Sequence, residues 1–332
     1  MSTTPMPVDV IADEQTAEQL KNGREKESQG GQAKRVKRRL TSRTATIAAI
    51  VIAVIWTIPT FGLFISSFRP AEQIQSTGWW TIFQNPGFTL DNYQEVLLSA
   101  SSSSPQLGAY FVNSLAIAIP ATIFPLVLGA MAAYAFAWMK FKGSSVLFIL
   151  LFALQIVPLQ MALLPLLQMF TTFLRPLQNG LHEIIPMIPE QNYLPVWIAH
   201  TMFGLPLIIF LLHNFISEIP GDVIEAARVD GANPGQIFFR IVLPLALPAI
   251  ASVAIFQFLW VWNDLLVALI FSGGTQDVAP LTQRLAELTG TRGQDWQRLT
   301  AAAFVSLIVP LIVFFSLQRY FVRGLLAGAT KG

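Results

Sequence analysis

Six long runs of apolar residues constrain this chain more than any other feature of its sequence. An α-helix needs about 20 predominantly apolar residues to cross the hydrocarbon core of a bilayer. The runs that reach or nearly reach this length are Thr46–Phe68, Ala109–Met139, Ser145–Phe170, Leu194–Ile216, Leu245–Phe271 and Thr300–Leu317. With 53% hydrophobic and only 12% charged residues, the composition also excludes a soluble globular domain. The sequence therefore predicts an all-α, polytopic membrane protein with six transmembrane helices.

Prolines inside the apolar runs predict bends in several of these helices. The second and third runs are longer than a straight span requires, and they contain Pro120 and Pro125, and Pro158 and Pro165, respectively. Proline removes a backbone donor and clashes with the preceding turn, so a helix kinks or breaks there. Two interpretations are equally open at this point: ordinary packing in a helix bundle, or hinges beside a transport pathway.

The distribution of basic residues predicts how the helices are oriented. Most of the 21 Lys and Arg residues fall before the first run, between the second and third, between the fourth and fifth, and after the sixth. Cytoplasmic loops are enriched in these residues, which places both termini and the 217–244 loop in the cytoplasm. We therefore expect a multi-pass protein of the cell membrane. The first outer connection, 69–108, is interpreted as a solvated spacer.

Residues 1–43 have the composition of a tail rather than of a packed domain. Their first half is acidic and polar, and a basic cluster from Lys34 to Arg39 lies near their end. Such a segment buries too little apolar surface to fold alone, so we expect a disordered cytoplasmic tail. A polybasic run beside a membrane helix contacts anionic membrane lipid, and nucleic acid is not an expected partner. Residues 44–332 form one transmembrane domain in this interpretation.

A polar passage, residues 217–244, separates the fourth and fifth apolar runs. Its charged side chains are Glu218, Asp222, Glu225, Arg228, Asp230 and Arg240. Together these six would cost roughly 15–20 kcal/mol at a bilayer centre, so the passage must lie in water.

Turn residues within this passage predict two short helices. Pro220 suits the first position of the first helix, and Asp222 places negative charge in its first turn. Asp230 and Gly231 end that helix, since glycine tolerates the left-handed cap conformation. Asn233–Gln236 then has the form of a capping box that begins the second helix.

Small apolar side chains lie together on the first of these helices. Val223, Ala226 and Ala227 form a narrow stripe, which Glu225 and Arg228 border at an i,i+3 spacing. Such a ridge can enter a groove on another protein.

The sequence contains no motif for catalysis or metal binding. A Gly-rich nucleotide-binding sequence ending in Gly-Lys-Ser/Thr, a His-Glu-x-x-His and a Gly-x-Ser-x-Gly are all missing. There is no cysteine, and the three histidines, His182, His200 and His213, lie far apart and are interpreted as packing residues. The chain is therefore predicted not to be an enzyme and to hold no cofactor or metal.

One acid, Asp264, lies within an apolar run. A carboxylate in a membrane is unfavourable unless it faces a polar cavity or a partner, so Asp264 marks either a functional site or a cap on a neighbouring helix. Aromatic faces beside carboxylate and amide groups suit a polyhydroxylated ligand. The candidate residues of a substrate pathway are Gln155, Gln257, Trp260, Asn263 and Asp264.

The polar passage also resembles a known motif. Glu225–Ala227, Gly231 and Ile241–Pro244 have the residues and spacing of the EAA loop of permease subunits in binding-protein-dependent ABC importers. The segments PLIIFLLHNFISEIP, WND and QRYFVRGLLAGATKG are similar to the sugar-importer branch, and more narrowly to the second permease of maltose/α-glucoside-type systems. The resemblance covers roughly residues 44–332. The 171–193 connection is longer and richer in proline than is usual in that family.

This resemblance implies a type I ABC importer permease fold and a mechanical role. The 217–244 loop would seat in a cleft of a cytoplasmic ATPase, and ATP-driven closure of the ATPase pair would rotate the membrane helices. The residues implied in coupling are Glu225, Ala226, Ala227, Arg228, Asp230, Gly231, Ile241 and Pro244. ATP and Mg would be bound by the ATPase subunits and not by this chain.

The resemblance also implies a set of partners. They are a second homologous permease, a cytoplasmic ATPase dimer, an extracytoplasmic solute-binding protein and a carbohydrate substrate, an oligosaccharide or α-glucoside. The 272–299 loop is the expected receptor surface, and Gly324–Gly332 is expected to reach the ATPase.

Two alternatives come from other classes of protein. An ion-coupled secondary carrier could use Asp264, but it leaves the cytoplasmic helix–turn–helix loop without a purpose. A membrane scaffold that transports nothing has no need of Asn, Asp and Gln within the membrane.

Overall fold

The computed structural model describes residues 43–98, 107–176, 193–272, 275, 277–289 and 295–329, and these residues are largely helical and contain no β-strand. We number the helices in chain order. They are α1 (Arg43–Ser67), α2 (Ala71–Ser76), α3 (Asp91–Leu97), α4 (Leu107–Trp138), α5 (Ser144–Ala153), α6 (Leu159–Met169), α7 (Leu194–Ile216), α8 (Gly221–Val229), α9 (Pro234–Trp262), α10 (Leu266–Ser272), α11 (Leu281–Thr289) and α12 (Trp296–Ala329). The predicted all-α fold is confirmed.

Among the described residues, five helices are long and apolar enough to cross a membrane, and a bent pair is a candidate for a sixth span. The five are α1, α4, α7, α9 and the Trp296–Arg319 part of α12. The pair consists of α5, extended by a 3-10 turn to Ile156, and α6, extended by a π-turn to Leu174. The chain bends by 105° between its two halves. These spans follow the six apolar runs in order.

The bend in the third span lies at Val157 and Pro158, where the sequence predicts one. Both residues have extended backbone, with ψ of 119° and 130°. At Val157 this is expected, because a proline ring disfavours the helical conformation of the residue before it. The other prolines named above do not interrupt their helices. Pro120 and Pro125 lie within the continuous helix α4, and Pro165 lies within α6, as membrane helices tolerate where neighbours satisfy the freed carbonyls.

The fifth span begins and ends earlier than its apolar run. Helix α9 begins at Pro234, inside the polar passage, and ends at Trp262. The capping box predicted at Asn233 is present, but it begins this span and not a separate short helix. A π-turn at Phe238–Val242 precedes Pro244. Its hydrogen bonds join residues five apart instead of four, which lets the helix continue through Pro244 although proline has no N–H to donate. The predicted boundary at Pro244 is therefore wrong.

The chain divides into two compact units, 1–62 and 63–332. In the first unit, α1 is an apolar helix with exposed large side chains, such as Trp56 at 78%. A helix that is apolar on all sides needs an apolar environment such as a bilayer. The predicted tail, residues 1–43, lies outside the described residues apart from Arg43. The second unit carries the candidate site.

The second unit packs around two clusters of buried apolar side chains, one in each half of the bundle. The near cluster, in the half that contains α8, includes Leu126, Tyr134, Leu212, Ile216, Ile219, Ile224, Ile237 and Val242. The far cluster, in the other half, includes Tyr110, Val196, Phe258, Trp262, Phe271 and Leu281. Helices α4, α7 and α9 contribute to both clusters, so α8 is built into the same core as the spans.

The connection after α1 is an ordered structure, and its interpretation as a solvated spacer is wrong for the described residues 69–98. Arg69 is only 1% exposed. Its guanidinium donates to the carbonyls of Gln73 and Thr77 and to the hydroxyls of Thr77 and Thr81, and burial lowers its pKa. A buried cation is stable only when its donors find acceptors, so these bonds fix the connection.

Candidate functional site

Helix α8 is held at both ends by residues that the sequence singles out. Pro220 precedes the first turn as its cap, one position before the predicted one, and has extended backbone with ψ 130°. Asp222 lies in the first turn, where negative charge is favourable. Asp230 ends the helix on the exposed surface. Gly231 follows with φ +82°, a conformation that favours glycine, so the chain can turn directly into α9.

Helix α8 buries one face in this chain and exposes the other. Ile224 and Ala227 are buried in the near cluster, at 0% and 9% exposure. Val223, Ala226 and Val229 are exposed, Val229 by 87%. The predicted stripe is therefore wrong for Ala227, which the helical period places beside Ile224. The sequence did not predict that Val229 is exposed. In a helix of only nine residues, the apolar pattern alone does not show which side packs against the core.

Two hydrogen bonds tie α8 to the ends of the membrane helices. Arg228 Nη2 donates to the Trp138 carbonyl at 2.9 Å, and Trp138 Nε1 donates to the Ile216 carbonyl at 3.1 Å. The first bond joins α8 to the end of α4, and the second joins that end to the end of α7. Arg228, predicted to contact an ATPase, is thus engaged within this chain.

Glu225 lies on the exposed side of α8, beside a basic cleft. Within the described residues, Glu225 forms no ion pair. The cleft has a volume of about 580 Å³, and the charged residues that line it are Lys140, Lys142, Glu225 and Arg228. A carboxylate in this position remains available to a partner.

Two of the predicted coupling residues lie within α9 and not in the loop. Ile241 is half-buried against the near cluster, and Pro244 is exposed on the helix surface. Both belong to the fifth span, Ile241 in its π-turn and Pro244 directly after that turn.

A cavity of about 690 Å³ lies between the bent α5–α6 pair, α7 and α9. Its wall is mostly apolar, and no charged side chain lines it among the residues that the structure describes. The residues that bear on its chemistry are Gln155, Phe203, Phe256, Gln257 and Trp260. The structure thus brings together three of the five predicted pathway residues: Gln155, Gln257 and Trp260.

Helix packing fixes the two glutamines of this cavity. Gln257 Nε2 donates to the Ala121 carbonyl of α4 at 3.1 Å. Its amide packs on Gly204 of α7, where an added Cβ would come within 2.7 Å of Oε1. Gln155 Nε2 donates to the Phe203 carbonyl at 3.4 Å. Both amides are therefore oriented by backbone carbonyls of neighbouring helices.

Asp264 lies outside the cavity wall, at the break between α9 and α10. Its carboxylate accepts hydrogen bonds from the amides of Val267 at 3.4 Å and Ala268 at 2.9 Å, and so caps α10. Asp264 Oδ2 also lies 3.5 Å from His200 Nε2 of α7. The capping interpretation, one of the two left open by the sequence, describes the structure. The expectation that Asp264 lies inside a continuous apolar helix is wrong.

The remaining pathway candidate, Asn263, is exposed and donates to the Leu259 carbonyl of its own helix at 2.8 Å. His200, which the sequence suggested to be a packing residue, is the residue that reasoning from sequence missed. Nothing local in the sequence could have paired it with Asp264, since the two residues lie on different helices.

The described part of the connection between α10 and α12 packs on the ends of α4 and α7. Asn113 donates to the Ala279 carbonyl at 3.0 Å and accepts a hydrogen bond from the Tyr193 hydroxyl at 2.7 Å. Arg298 donates to Glu95 at 2.8 Å. The predicted receptor surface therefore has an ordered base.

Some predicted features lie outside the described residues. These are the 177–192 part of the proline-rich connection, parts of the 272–299 loop, and the last three residues of the C-terminal segment. Within the described part of the chain, no group of three His, Asp or Glu side chains is placed to hold a metal ion.

Comparisons with known proteins cover most of the chain. A family model described as binding-protein-dependent transport system inner membrane component matches residues 125–326. The osmoprotective compounds uptake permease protein GgtD of Synechocystis sp. is 54% identical over 289 residues, which are 86% of this chain and 91% of that protein. The alpha-glucoside transport system permease protein AglG of Rhizobium meliloti is 51% identical over 254 residues, which are 76% of this chain and 63% of that protein.

Solved structures add a likeness in fold. A chain from the crystal structure of a bacterial ABC transporter involved in the import of the acidic polysaccharide alginate superposes with a TM-score of 0.57. The match covers 87% of this chain and 99% of that chain at 17% sequence identity. At this identity, the likeness shows a shared fold.

Proposed function

The chain belongs to the family of binding-protein-dependent transport system inner membrane components, and from this premise we propose that it carries neutral glycosides across the cell membrane. It is a permease subunit of an ATP-driven sugar importer and not an enzyme. The predicted family, fold and general function are confirmed. The ion-coupled carrier that would use Asp264 finds no support, since that carboxylate caps α10.

No charged side chain lines the cavity among the described residues, and this observation supports a neutral substrate. Phe203, Phe256 and Trp260 offer aromatic faces, and Gln155 and Gln257 offer amides. Aromatic faces pack against the C–H faces of a sugar, and amides exchange hydrogen bonds with its hydroxyls. A charged sugar would lose its hydration there without gaining an ion pair. The relative named for alpha-glucoside transport agrees with a neutral glycoside.

We assign this cavity to one half of the transport pathway. Large apolar side chains beside it are widely exposed, with Ile156 at 79% and Met161 and Leu164 at 70%. Polar amides beside lipid would be unfavourable, whereas a second, homologous permease would enclose them. The substrate would then pass between the two permeases.

Helix α8 is the element through which a cytoplasmic ATPase dimer would drive transport. Its exposed face carries Glu225, Ala226 and Val229, which suit a groove on the ATPase. Its buried face and the bonds of Arg228 and Trp138 would pass a rotation of α8 to α4 and α7. ATP and Mg would be held by the ATPase. An external solute-binding protein would dock on the far end of the bundle, with both termini of this chain in the cytoplasm.

The test is uptake by proteoliposomes that contain the complete transporter with its receptor. Calorimetry first establishes which sugars the receptor binds, so that a failure of the membrane step is recognised. We expect ATP-dependent uptake of a neutral α-glucoside such as maltose or trehalose, and no uptake of a galacturonic acid disaccharide. Trp260→Ala is expected to lower neutral-sugar uptake about tenfold by removing an aromatic face. Equal uptake of the acidic and neutral sugars would overturn the assignment.

A further inference from the structure

A buried contact between an imidazole and a carboxylate joins α7 to the break between α9 and α10. The side chain of His200 is 0% exposed and that of Asp264 is 12% exposed, and Nε2 lies 3.5 Å from Oδ2. In the described part of the chain, no other charged side chain lies within ion-pair distance of His200. We call this pair the His200–Asp264 contact.

The hydrogen-bond partners of His200 show where its protons lie. Nδ1 is 2.9 Å from the Val196 carbonyl, and because a carbonyl only accepts, Nδ1 carries a hydrogen. In a neutral ring Nε2 is then an acceptor, and it faces an acceptor oxygen of Asp264. The His200–Asp264 contact is attractive only when one proton lies between Nε2 and Oδ2, on either atom. Among the described residues, Nε2 forms no hydrogen bond, with Asp264 or with any other group, so the His200–Asp264 contact is a charge contact at 3.5 Å.

The same imidazole packs against the wall of the substrate cavity. Its ring meets the Trp260 ring edge to face, with centroids 5.3 Å apart and planes at 71°. Trp260 lies near the end of α9 and Asp264 lies two residues beyond that end, and the same histidine of α7 contacts both. One turn further along α7, Gly204 packs against Gln257. The contact between α7 and α9 therefore runs without interruption from the cavity to the break.

We propose that His200 is a positioning residue for transport. By its contact with Asp264 it fixes the end of α9, and by packing against Trp260 it holds that ring in the cavity wall. This inference rests on the cavity being the substrate pathway, as proposed above. Since Asp264 also caps α10, an experiment must separate loss of the contact from loss of the cap.

Four variants of the complete transporter make this separation. Asp264→Ser keeps an oxygen that can cap α10, but its side chain is too short to reach His200. Asp264→Asn keeps the cap and offers an amide N–H to the unprotonated Nε2. His200→Leu removes the contact and keeps apolar bulk. His213→Leu, at the α8 end of the same helix, is the matched control, because His213 contacts the ring of Phe148 and not the cavity wall.

The expected results divide the variants into two pairs. Asp264→Ser and His200→Leu lower the maximal uptake rate about tenfold, while the receptor concentration at half-maximal uptake stays unchanged. Asp264→Asn and His213→Leu stay within about twofold of the unmodified transporter. The double variant of His200→Leu and Asp264→Ser is no worse than either single one, since both remove the same contact. If Asp264→Ser does not assemble, His200→Leu carries the same test.

Two results would overturn the proposal. Equal losses in Asp264→Asn and Asp264→Ser would show that a side chain able to reach His200 does not preserve transport, so that the contact does not position α9. Losses that add in the double variant would show that His200 and Asp264 act separately.

A labelling measurement tests the contact without any sugar. The chain has no cysteine, so Asn263→Cys adds a single thiol to it that reports on the break. We expect His200→Leu to speed its reaction with a membrane-impermeant maleimide at least about threefold, because the break opens more often. His213→Leu should leave the rate unchanged. If His200→Leu speeds labelling but the transporter carries no glycoside, the proposed function is refuted while the role of the His200–Asp264 contact in holding the break closed still stands. An unchanged labelling rate would overturn the contact itself.

Discussion

Two polar interruptions of this apolar chain are resolved in opposite ways. At α8, Ile224 holds the helix in the core while Glu225 and Val229 point away from it. At the break between α9 and α10, the carboxylate of Asp264 is used within the chain, by two backbone amides and by His200. The first interruption is exposed and is proposed to bind another protein, whereas the second is an internal joint. A polar residue in a membrane chain indicates a binding role only if its hydrogen-bonding groups are not already satisfied by partners within the same chain.

The largest effect is expected from Gly231, at the end of α8. Gly231 and Gly143 share a positive φ, +82° and +84°, and at both an added Cβ would meet no atom within 4 Å. A side chain at either position costs about 1–2 kcal/mol of backbone strain. Only Gly231 fixes the turn of α8 against its partner, so Gly231→Lys should lower uptake at least about 100-fold and release the ATPase on purification. Gly143→Lys is the control, and a loss of equal size there would contradict the coupling role of α8.

A smaller effect is expected when α8 stays docked but loses its tie to the spans. Trp138→Phe removes the donor to the Ile216 carbonyl and keeps the ring. We expect about tenfold less sugar transported per ATP hydrolysed, with the ATPase still bound. Trp80→Phe, on a residue that is 62% exposed, should change neither quantity. An unchanged transport ratio in Trp138→Phe would mean that rotation reaches the spans by another route.

The smallest effect is expected inside the cavity. Gly204→Ala places a Cβ within 2.7 Å of the Gln257 amide, which must then shift from its bond to the Ala121 carbonyl. We expect uptake to change about threefold. Adding Gln257→Ala to Gly204→Ala removes the clash between the new Cβ and the amide. Gly108→Ala, where an added Cβ meets nothing within 4 Å, is the control. Identical uptake in Gly204→Ala would show that the amide has no fixed place in the pathway.

The sequence predicted most spans because apolar length is itself the physical criterion for crossing a bilayer. The fourth span has the predicted bounds, Leu194–Ile216. The fifth failed at both ends, for local reasons. A π-turn carries α9 past Pro244, and a break after Trp262 interrupts an apolar run that hydropathy reads as continuous.

The candidate site could be predicted in part, for the same kind of reason. Gly231 and the capping box at Asn233 are local signals, and both hold in the structure. The side of α8 that is exposed depends on packing, which placed Ala227 inside. The His200–Asp264 contact depends on two helices meeting, which no local pattern reports.

The division of α8 into a core face and a docking face can be measured directly in this cysteine-free chain. Val229→Cys and Ile224→Cys are compared by maleimide labelling of the permease pair, with and without the ATPase. We predict fast labelling of Val229→Cys that the ATPase suppresses at least about tenfold, and slow labelling of Ile224→Cys in both cases. Equal labelling of Val229→Cys with and without the bound ATPase would contradict the assignment of α8 as the coupling element.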